Sequence, residues 1–365
     1  MVRVPVNTAS ASYEAVIEHG ILSRAGEVLA ALSAGIRPLF VVTVPRVRRR
    51  WGKTLRRSLE KAGFSARVIE MPDGERFKRL STVETLAEEM VRLGADRKAL
   101  VAAFGGGVAC DVVGMLASVY MRGVGFVQIP TTVQAQLDAA IGGKTGVNLR
   151  AGKNLVGTFY QPELVLIDPA VLTTLPEREF RAGMYEAIKC GIIGNAELFD
   201  RLERSPVMAL RKDVEFLTWT IAESVRLKAK VVSADEREGN LRRVLNLGHT
   251  LGHALEAATA YRRFLHGEAV AWGMHAAARI AFDLGCCDRA VYERIRGAVH
   301  AWGTLPAVNV QTPKALKLVR SDKKTEGGVV HFVLPKEIGR VEIVKDVPDQ
   351  VVSRALAEIR RTSRG

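Results

Sequence analysis

Two hydrophobic textures divide this chain. Through the first 176 residues, short and almost continuously apolar runs alternate with amphipathic stretches, whereas beyond residue 177 apolar positions recur at helical spacing. Residues 37–44, Arg-Pro-Leu-Phe-Val-Val-Thr-Val, predict a strand covered on both sheet faces. A helical pattern over 48–62 ends at Gly63, a short strand over 65–70 precedes the turn Pro72-Asp73-Gly74, and a helix over 81–93 is bounded by Gly94. The buried strand 99–104 runs into Gly105-Gly106-Gly107, followed by a helix over 109–118 and a strand over 124–129 that ends at Pro130. This repetition predicts a Rossmann-like, mostly parallel sheet whose ligand sits beyond the carboxyl ends of its strands.

The later texture predicts helices over 178–192, 207–231, 244–258, 267–284 and 289–300, with Gly285 and Pro306 as boundaries. A late strand at 329–334 and a closing helix at 350–359 complete the pattern. The expected organisation is α/β plus α. Residues 1–176 form the α/β domain and residues 177–365 a mostly helical one, as suits a chain of 365 residues.

Composition narrows the classes. A hydrophobic content of 48% with 25% charged residues is that of a globular protein. The longest apolar runs, such as 100–104, fall far short of the roughly 20 residues needed to span a bilayer, and the N-terminus lacks a secretory apolar core, so cytoplasmic residence is expected. Cys110, Cys190, Cys286 and Cys287 have neither zinc-knuckle spacing nor the density of a disulfide scaffold, and are expected to be reduced. The formal charge of +14 attracts anions. Its densest stretch, 46–57, is either a phosphate-contacting surface for nucleic acid or a solvated helix face, and the second reading is preferred.

The chemistry begins at the glycine triplet. A strand-to-helix turn without side chains offers unpaired N–H groups at a helix N-terminus, a suitable place for the pyrophosphate of a dinucleotide, although a tight turn alone would also use glycine. The sequence is neither Gly-x-Gly-x-x-Gly nor a Walker loop. Thr131 and Thr132 follow a strand end, and Asp138, Gly142-Gly143-Lys144-Thr145, Asn148 and Lys153-Asn154 add a density of polar groups that reads as an anion pocket.

A second constellation lies in the helical half. In Asn246-Leu247-Gly248-His249-Thr250-Leu251-Gly252-His253, two histidines four apart share a helix face, beside glycines that permit close approach. His266-Gly267-Glu268 opens another helix, and Glu186 sits among apolar neighbours, where a carboxylate demands a partner. Imidazole and carboxylate donors suit a zinc-like ion, with Glu186, His249 and His266 the favoured ligands. Spacing alone also permits a set of paired core residues. His253 is either a fourth ligand or a hydrogen-bonding and proton-transfer group, while Lys189, Lys228, Arg242 and Asn246 would meet an anionic substrate or merely carry surface charge.

Together these motifs resemble the 3-dehydroquinate synthase family. The likeness runs from about Val41 to Asp322-Lys323-Lys324 through Gly105-Gly106-Gly107-Val108-x-x-Asp111, Arg122-Gly123, Pro130-Thr131-Thr132, Asp138-x3-Gly142-Gly143-Lys144, Lys153-Asn154, Glu186-x-x-Lys189, Asn246-x-Gly248-His249-x-x-Gly252-His253 and His266-Gly267-Glu268. The resemblance implies zinc or cobalt on Glu186, His249 and His266. It implies NAD near Glu75, Lys78, Gly105, Gly106, Gly107, Val108, Asp111, Thr131, Thr132, Asp138, Lys144, Lys153, Thr174, Leu175 and Glu179. Arg122, Lys144, Asn154, Lys189, Lys228, Arg242, Asn246 and His253 match groups around substrate, with a further cation from Lys323 or Lys324, of which Lys324 is taken.

The implied reaction converts 3-deoxy-D-arabino-heptulosonate 7-phosphate, an anionic phosphorylated sugar acid, to 3-dehydroquinate and phosphate, with NAD oxidising and then re-reducing the substrate within one cycle. A homodimer is implied as well, with no nucleic-acid or membrane partner. Residues 40–45 lack the acidic or amide residue often found after the first strand, and Cys190 replaces a common aromatic. The alternatives are another sugar-phosphate cyclase, making a valiolone or a deoxy-inosose, and a metal-dependent glycerol-type alcohol dehydrogenase.

Overall fold

The computed structural model describes residues 1–32, 36–322 and 330–364, the side chains of residues 321 and 322 excepted. The chain divides into two compact units, Met1–Pro176 with Asp213–Arg237, and Glu177–Lys212 with Glu238–Gly365.

In the first unit, an N-terminal hairpin of β1 (Val2–Asn7) and β2 (Ser12–Ile17) leads through a short helix, α1 (Ala25–Ala30), into β3 (Leu39–Thr43), α2 (Pro45–Lys61), β4 (Arg67–Glu70), α3 (Leu80–Arg92), β5 (Leu100–Gly105), α4 (Gly107–Val119) and β6 (Gly125–Pro130). A second hairpin, β7 (Lys144–Leu149) and β8 (Gly152–Phe159), precedes β9 (Leu164–Ile167). The seven-stranded sheet has the order β1-β2-β9-β6-β5-β3-β4, and only β1 runs antiparallel to its neighbour. Every residue of β3, β5 and β9 is buried, which is why those segments read as unbroken apolar runs.

From β3 the chain moves outward to β4 and then returns to place β5 on the other side. The carboxyl ends of β3 and β5 therefore flank a topological switch point, where open sheets of this kind leave a crevice. The hydroxyl of the buried Thr43 donates to the carbonyl of Phe104 at 2.7 Å and ties the two strand ends together there.

The second unit is mostly helical. It contains α5 (Glu177–Gly194), α6 (Ala196–Glu203) and the single turn α7 (Val207–Leu210), and the chain then re-enters the first unit as α8 (Val214–Ala234). It resumes with α9 (His249–Ala258), α10 (His266–Asp283), α11 (Arg289–Ala301), α12 (Thr312–Asp322), the hairpin β10 (His331–Glu337) and β11 (Arg340–Lys345), and α13 (Asp349–Thr362). Within this unit α10 packs against α5, α9, α11 and α13, and fourteen of its eighteen positions are buried, so it forms the axis of that core.

Three sequence expectations change, the first being the helix expected over 244–258, which Gly248, at φ 79°, separates into the 3-10 turn Leu241–Asn246 and α9, beginning at His249. The helix expected over 207–231 is two helices, because Asp213 interrupts the pattern and its carboxylate caps α8 by accepting from the Phe216 amide at 2.9 Å. A single boundary at 176/177 marks the first crossing but does not contain α8, whose apolar side packs on β1 and β2 and so belongs with the first unit. Among the described residues, no helix is long and apolar enough to cross a membrane.

Candidate active site

In the first unit, the glycine triplet sits between β5 and α4, with Gly106 at the cap of the helix and Gly107 its first residue. The first N–H groups of a helix have no intrahelical acceptor and face outward from this turn. A Cβ on Gly106 would come 2.9 Å from Cγ2 of Thr132, and one on Gly105 would come 2.6 Å from the Ala109 Cβ. Gly105 and Gly106 therefore have no room for side chains, whereas a Cβ on Gly107 would make only an ordinary contact with Ala139. The amide of Thr131 donates to the Gly105 carbonyl at 2.9 Å, and the Thr132 hydroxyl accepts from the Ala135 amide at 3.2 Å, so both threonines are fixed beside the turn.

One turn into α4, Asp111 meets Lys78. The buried Lys78 ammonium donates to Asp111 Oδ2 and to Asn154 Oδ1, each at 2.5 Å. Burial lifts the Asp111 carboxyl above its ordinary range, against the opposing pull of the Lys78 charge. Glu75 accepts from the Asn148 side chain at 2.7 Å and lies 3.7 Å from Lys153 Nζ, while the Asn148 amide donates to the Lys78 carbonyl at 2.8 Å. Glu75, Lys78, Asp111, Lys153 and Asn154, scattered along the sequence, thus form one polar cluster. Lys228, carried in by α8, donates to both the carboxylate and the carbonyl of Asp138 at 2.5 Å.

Two residues assigned to substrate have left-handed backbones, Arg122 with φ 69° and Asn154 with φ 57°. Such conformations cost on the order of 1 kcal/mol or more and concentrate where function requires them. Lys144 begins β7 and is exposed. Val108 packs half-buried on the sheet core, Thr174 accepts from Trp51 Nε1 at 3.0 Å, and the Leu175 amide donates to the Leu172 carbonyl at 3.1 Å. Glu179, in the second unit, lies in the first turn of α5 and is half-buried.

The second unit brings the histidines together. His249 opens α9 and His253 follows one turn later, while His266 opens α10. Ring centroids are 5.2 Å apart for His249 and His253, 5.1 Å for His249 and His266, and 5.8 Å for His253 and His266. One nitrogen from each lies within 4.8 Å of the others. The glycines permit this approach as expected, since a Cβ on Gly273 would fall 1.8 Å from the Gly248 carbonyl oxygen and one on Gly252 3.0 Å from that of Ala269.

Glu186, on α5 and 1% exposed, points its Oε1 to within 3.5 Å of His266 Nε2. Its Oε2 lies 2.6 Å from the ammonium of the equally buried Lys189, an ion pair by distance, yet neither carboxylate oxygen has a hydrogen bond of acceptable geometry among the described residues. The three imidazoles form the convergent donor group among the described residues, and a buried carboxylate with unsatisfied oxygens beside one of them, His266, fits a divalent cation held there; His253 thus stands in the cluster and Glu186 at its edge. Burial, with the Lys189 charge second, holds His249 well below the ordinary histidine range, which keeps the ring neutral and available as a donor. Burial acts in the same direction on His266, but the Glu256 hydrogen bond and charge override it and raise that ring.

Arg242, 1% exposed, and Asn246 belong to the 3-10 turn Leu241–Asn246, and the Asn246 side chain donates to Glu238 Oε1 at 3.1 Å. Lys323 and Lys324 lie outside the described residues. The sequence reading missed Glu256, whose Oε2 is 3.2 Å from His266 Nδ1. Its signal was available, because it follows His249 by seven residues, two helical turns on the same face. Also missed was Arg178, which holds Glu268 at the start of α10 through two hydrogen bonds of 2.6 and 2.8 Å.

Comparison with known proteins identifies the family. Residues 68–182 match the 3-dehydroquinate synthase N-terminal family and residues 183–325 the 3-dehydroquinate synthase C-terminal family. A 3-dehydroquinate synthase of Koribacter versatilis is 51% identical over 100% of this chain and 99% of its own length, and one of Gloeobacter violaceus is 47% identical over 99% and 100%. Among solved structures, the 2-epi-5-epi-valiolone synthase ValA of Streptomyces hygroscopicus, with NAD+ and Zn2+ bound, is 31% identical and superposes with a TM-score of 0.88 over 96% of this chain and 98% of its own. The metal-fit geometry, the side-chain-free turn at the switch point and near-full-length identity together place the chain in the 3-dehydroquinate synthase family.

Proposed function

We propose that this chain is a 3-dehydroquinate synthase, converting 3-deoxy-D-arabino-heptulosonate 7-phosphate to 3-dehydroquinate and phosphate. The observation that carries the reading is the convergence of the His249, His253 and His266 imidazoles, with the buried Glu186 carboxylate 3.5 Å from His266 Nε2. Identity of 51% to a 3-dehydroquinate synthase, against 31% to the valiolone synthase, favours this cyclase over its relatives.

Glu186, His249 and His266 would hold zinc or cobalt, and the glycine turn with Thr131, Thr132, Asp111, Asp138, Lys78, Glu75 and Lys153 would hold NAD, with Val108, Thr174, Leu175 and Glu179 assigned to the same cofactor. When bound, NAD supplies a reversible hydride acceptor and the ion a Lewis acid for the alcohol being oxidised. Lys144, Lys189 and Arg242 are assigned to the phosphate, whose departure with the C6 proton needs cations fixed in place. Arg122, Asn154, Lys228, Asn246 and Lys324 are assigned to the remaining substrate oxygens. His253, the most exposed of the three histidines, is assigned a hydrogen-bonding and proton-transfer role. The substrate phosphate itself is the candidate base for the C6 proton. Cytoplasmic residence and a homodimer complete the proposal.

The test is phosphate release with product identification, with and without NAD and divalent metal. Dehydroquinate formed without net NADH is expected. A valiolone or inosose product from the corresponding sugar phosphate would assign a different cyclase, and net NADH from a simple alcohol would assign a dehydrogenase.

A further inference from the structure

We infer that Glu256 is the positioning carboxylate of the metal centre, fixing the tautomer and aim of His266, an inference that rests on the ligand set proposed above. Glu256 lies at the end of α9 and is 3% exposed, a burial that a carboxylate tolerates when it is hydrogen-bonded. Its Oε2 stands 3.2 Å from His266 Nδ1, while the opposite ring nitrogen, Nε2, is 3.5 Å from Glu186 Oε1. The imidazole therefore stands between two buried carboxylates, one on α9 and one on α5.

A neutral imidazole has a single N–H and satisfies one of them. With the proton on Nδ1 donated to Glu256, the lone pair of Nε2 is turned toward Glu186, and the two would serve as donors to a cation when one is bound. His249 has the same design with a weaker partner: its Nδ1 lies 3.1 Å from the Leu247 carbonyl oxygen, which leaves Nε2 as its donor. A carboxylate behind an imidazole raises the ring's donor strength more than a neutral carbonyl does, so His266 is the ligand most dependent on its support. The contact also joins the two histidine-bearing helices, because α9 supplies both a ligand and the group that aims the ligand of α10.

The experiment uses the full chain. Zinc affinity is measured by chelator competition, and cobalt(II) is bound to record its visible absorption bands, for the wild type, Glu256→Gln and Glu256→Leu. Glutamine keeps an acceptor without the charge, and leucine keeps the approximate volume without either. Zinc binding is expected to weaken by about 10- to 100-fold in Glu256→Leu and by less in Glu256→Gln, with cobalt bands displaced in the same order and the metal-free melting temperature of Glu256→Gln unchanged. Unchanged zinc affinity and cobalt bands in a folded Glu256→Leu would overturn the inference. If that variant fails to fold, wild-type affinity and bands in Glu256→Gln overturn it equally. A wild type that binds neither ion would overturn the ligand set itself, a separate result.

Discussion

Replacing Gly267 with alanine adds one methyl group where α10 touches α5, and the consequence should reach the metal. A Cβ at this position falls 1.8 Å from the Ala182 carbonyl oxygen and 2.6 Å from its carbon. Non-bonded carbon and oxygen need about 3 Å or more, so the start of α10 must withdraw by roughly 1 Å. The partner is backbone in the middle of a helix and has no rotamer by which to yield. Gly267 is the neighbour of His266, and Ala182 lies one turn before Glu186, so the displacement acts on the 3.5 Å approach of those two side chains. Ligand distances in metal sites tolerate only about 0.2 Å, and overpacking of this kind costs about 1–3 kcal/mol of stability. Zinc affinity by chelator competition should fall at least 10-fold, with a melting temperature lower by several degrees. Gly297→Ala on α11 is the control, because its Cβ meets nothing within 4 Å and alanine is the better helix former. Wild-type zinc affinity and melting temperature in Gly267→Ala would refute the claim that this contact sets the spacing of the ligands.

Other outcomes follow from the same geometry. His249→Ala should abolish turnover and metal retention together; unchanged activity and metal content would remove it from the ligand set. Lys78→Met leaves the half-buried Asp111 without its ammonium, and NAD affinity should drop by about 10-fold or more while zinc binding is retained, as titration of each would reveal. A third concerns acid. Burial, with the His275 and Arg296 charges behind it, pushes His300 down to about 4 from the ordinary 6.5, and its Nε2–H donates to His275 Nδ1 at 3.0 Å when His275 donates to Glu358. Between pH 6.5 and 4 the unfolded chain binds a proton at this histidine that the folded chain does not, so stability is lost as pH falls through that window. Denaturant midpoints across it should decline less steeply in His300→Gln than in the wild type, and parallel curves would contradict the assignment. Glu358 acts lower. Burial raises its carboxyl, but hydrogen bonds from His275 and Tyr292 prevail and bring it down to about 2, so its share is lost between pH 4.5 and 2.

What the sequence makes legible depends on how local the cause is. β3 and β5 stand out because burial on both faces demands an unbroken apolar run, and the glycine turn because no other residue fits beside Thr132 and Ala109. Glu186 is conspicuous for the opposite reason, a charge among apolar neighbours that only a partner explains. The β1 strand was legible in the alternation of Val2, Val4 and Val6 with the outward-facing Arg3 and Pro5, but a proline argues against a strand unless it lies at a sheet edge, and that edge position is set by the whole topology. β7 and β8 read as a polar pocket because Gly146 and Gly157 face one another and leave no apolar alternation to detect. Partnerships are the hardest to read. Nothing local announces that Lys228 will meet Asp138, ninety residues earlier, or that α8 will cover the first sheet. Glu256 belongs to a middle case: its helical spacing from His249 was visible, but its meaning depends on His266 on another helix.

The return of α8 to the first unit makes that unit discontinuous in the chain. A fragment ending at residue 176 would lack the helix that covers β1 and β2, and a fragment beginning at 177 would carry that helix with its apolar side unpartnered. During synthesis, the sheet must therefore wait for residue 237 to emerge before its last covering layer arrives, a delay of several seconds at about 5–20 residues per second. Through that interval the exposed face of the N-terminal hairpin is the place where a chaperone would act, or where misassociation would begin.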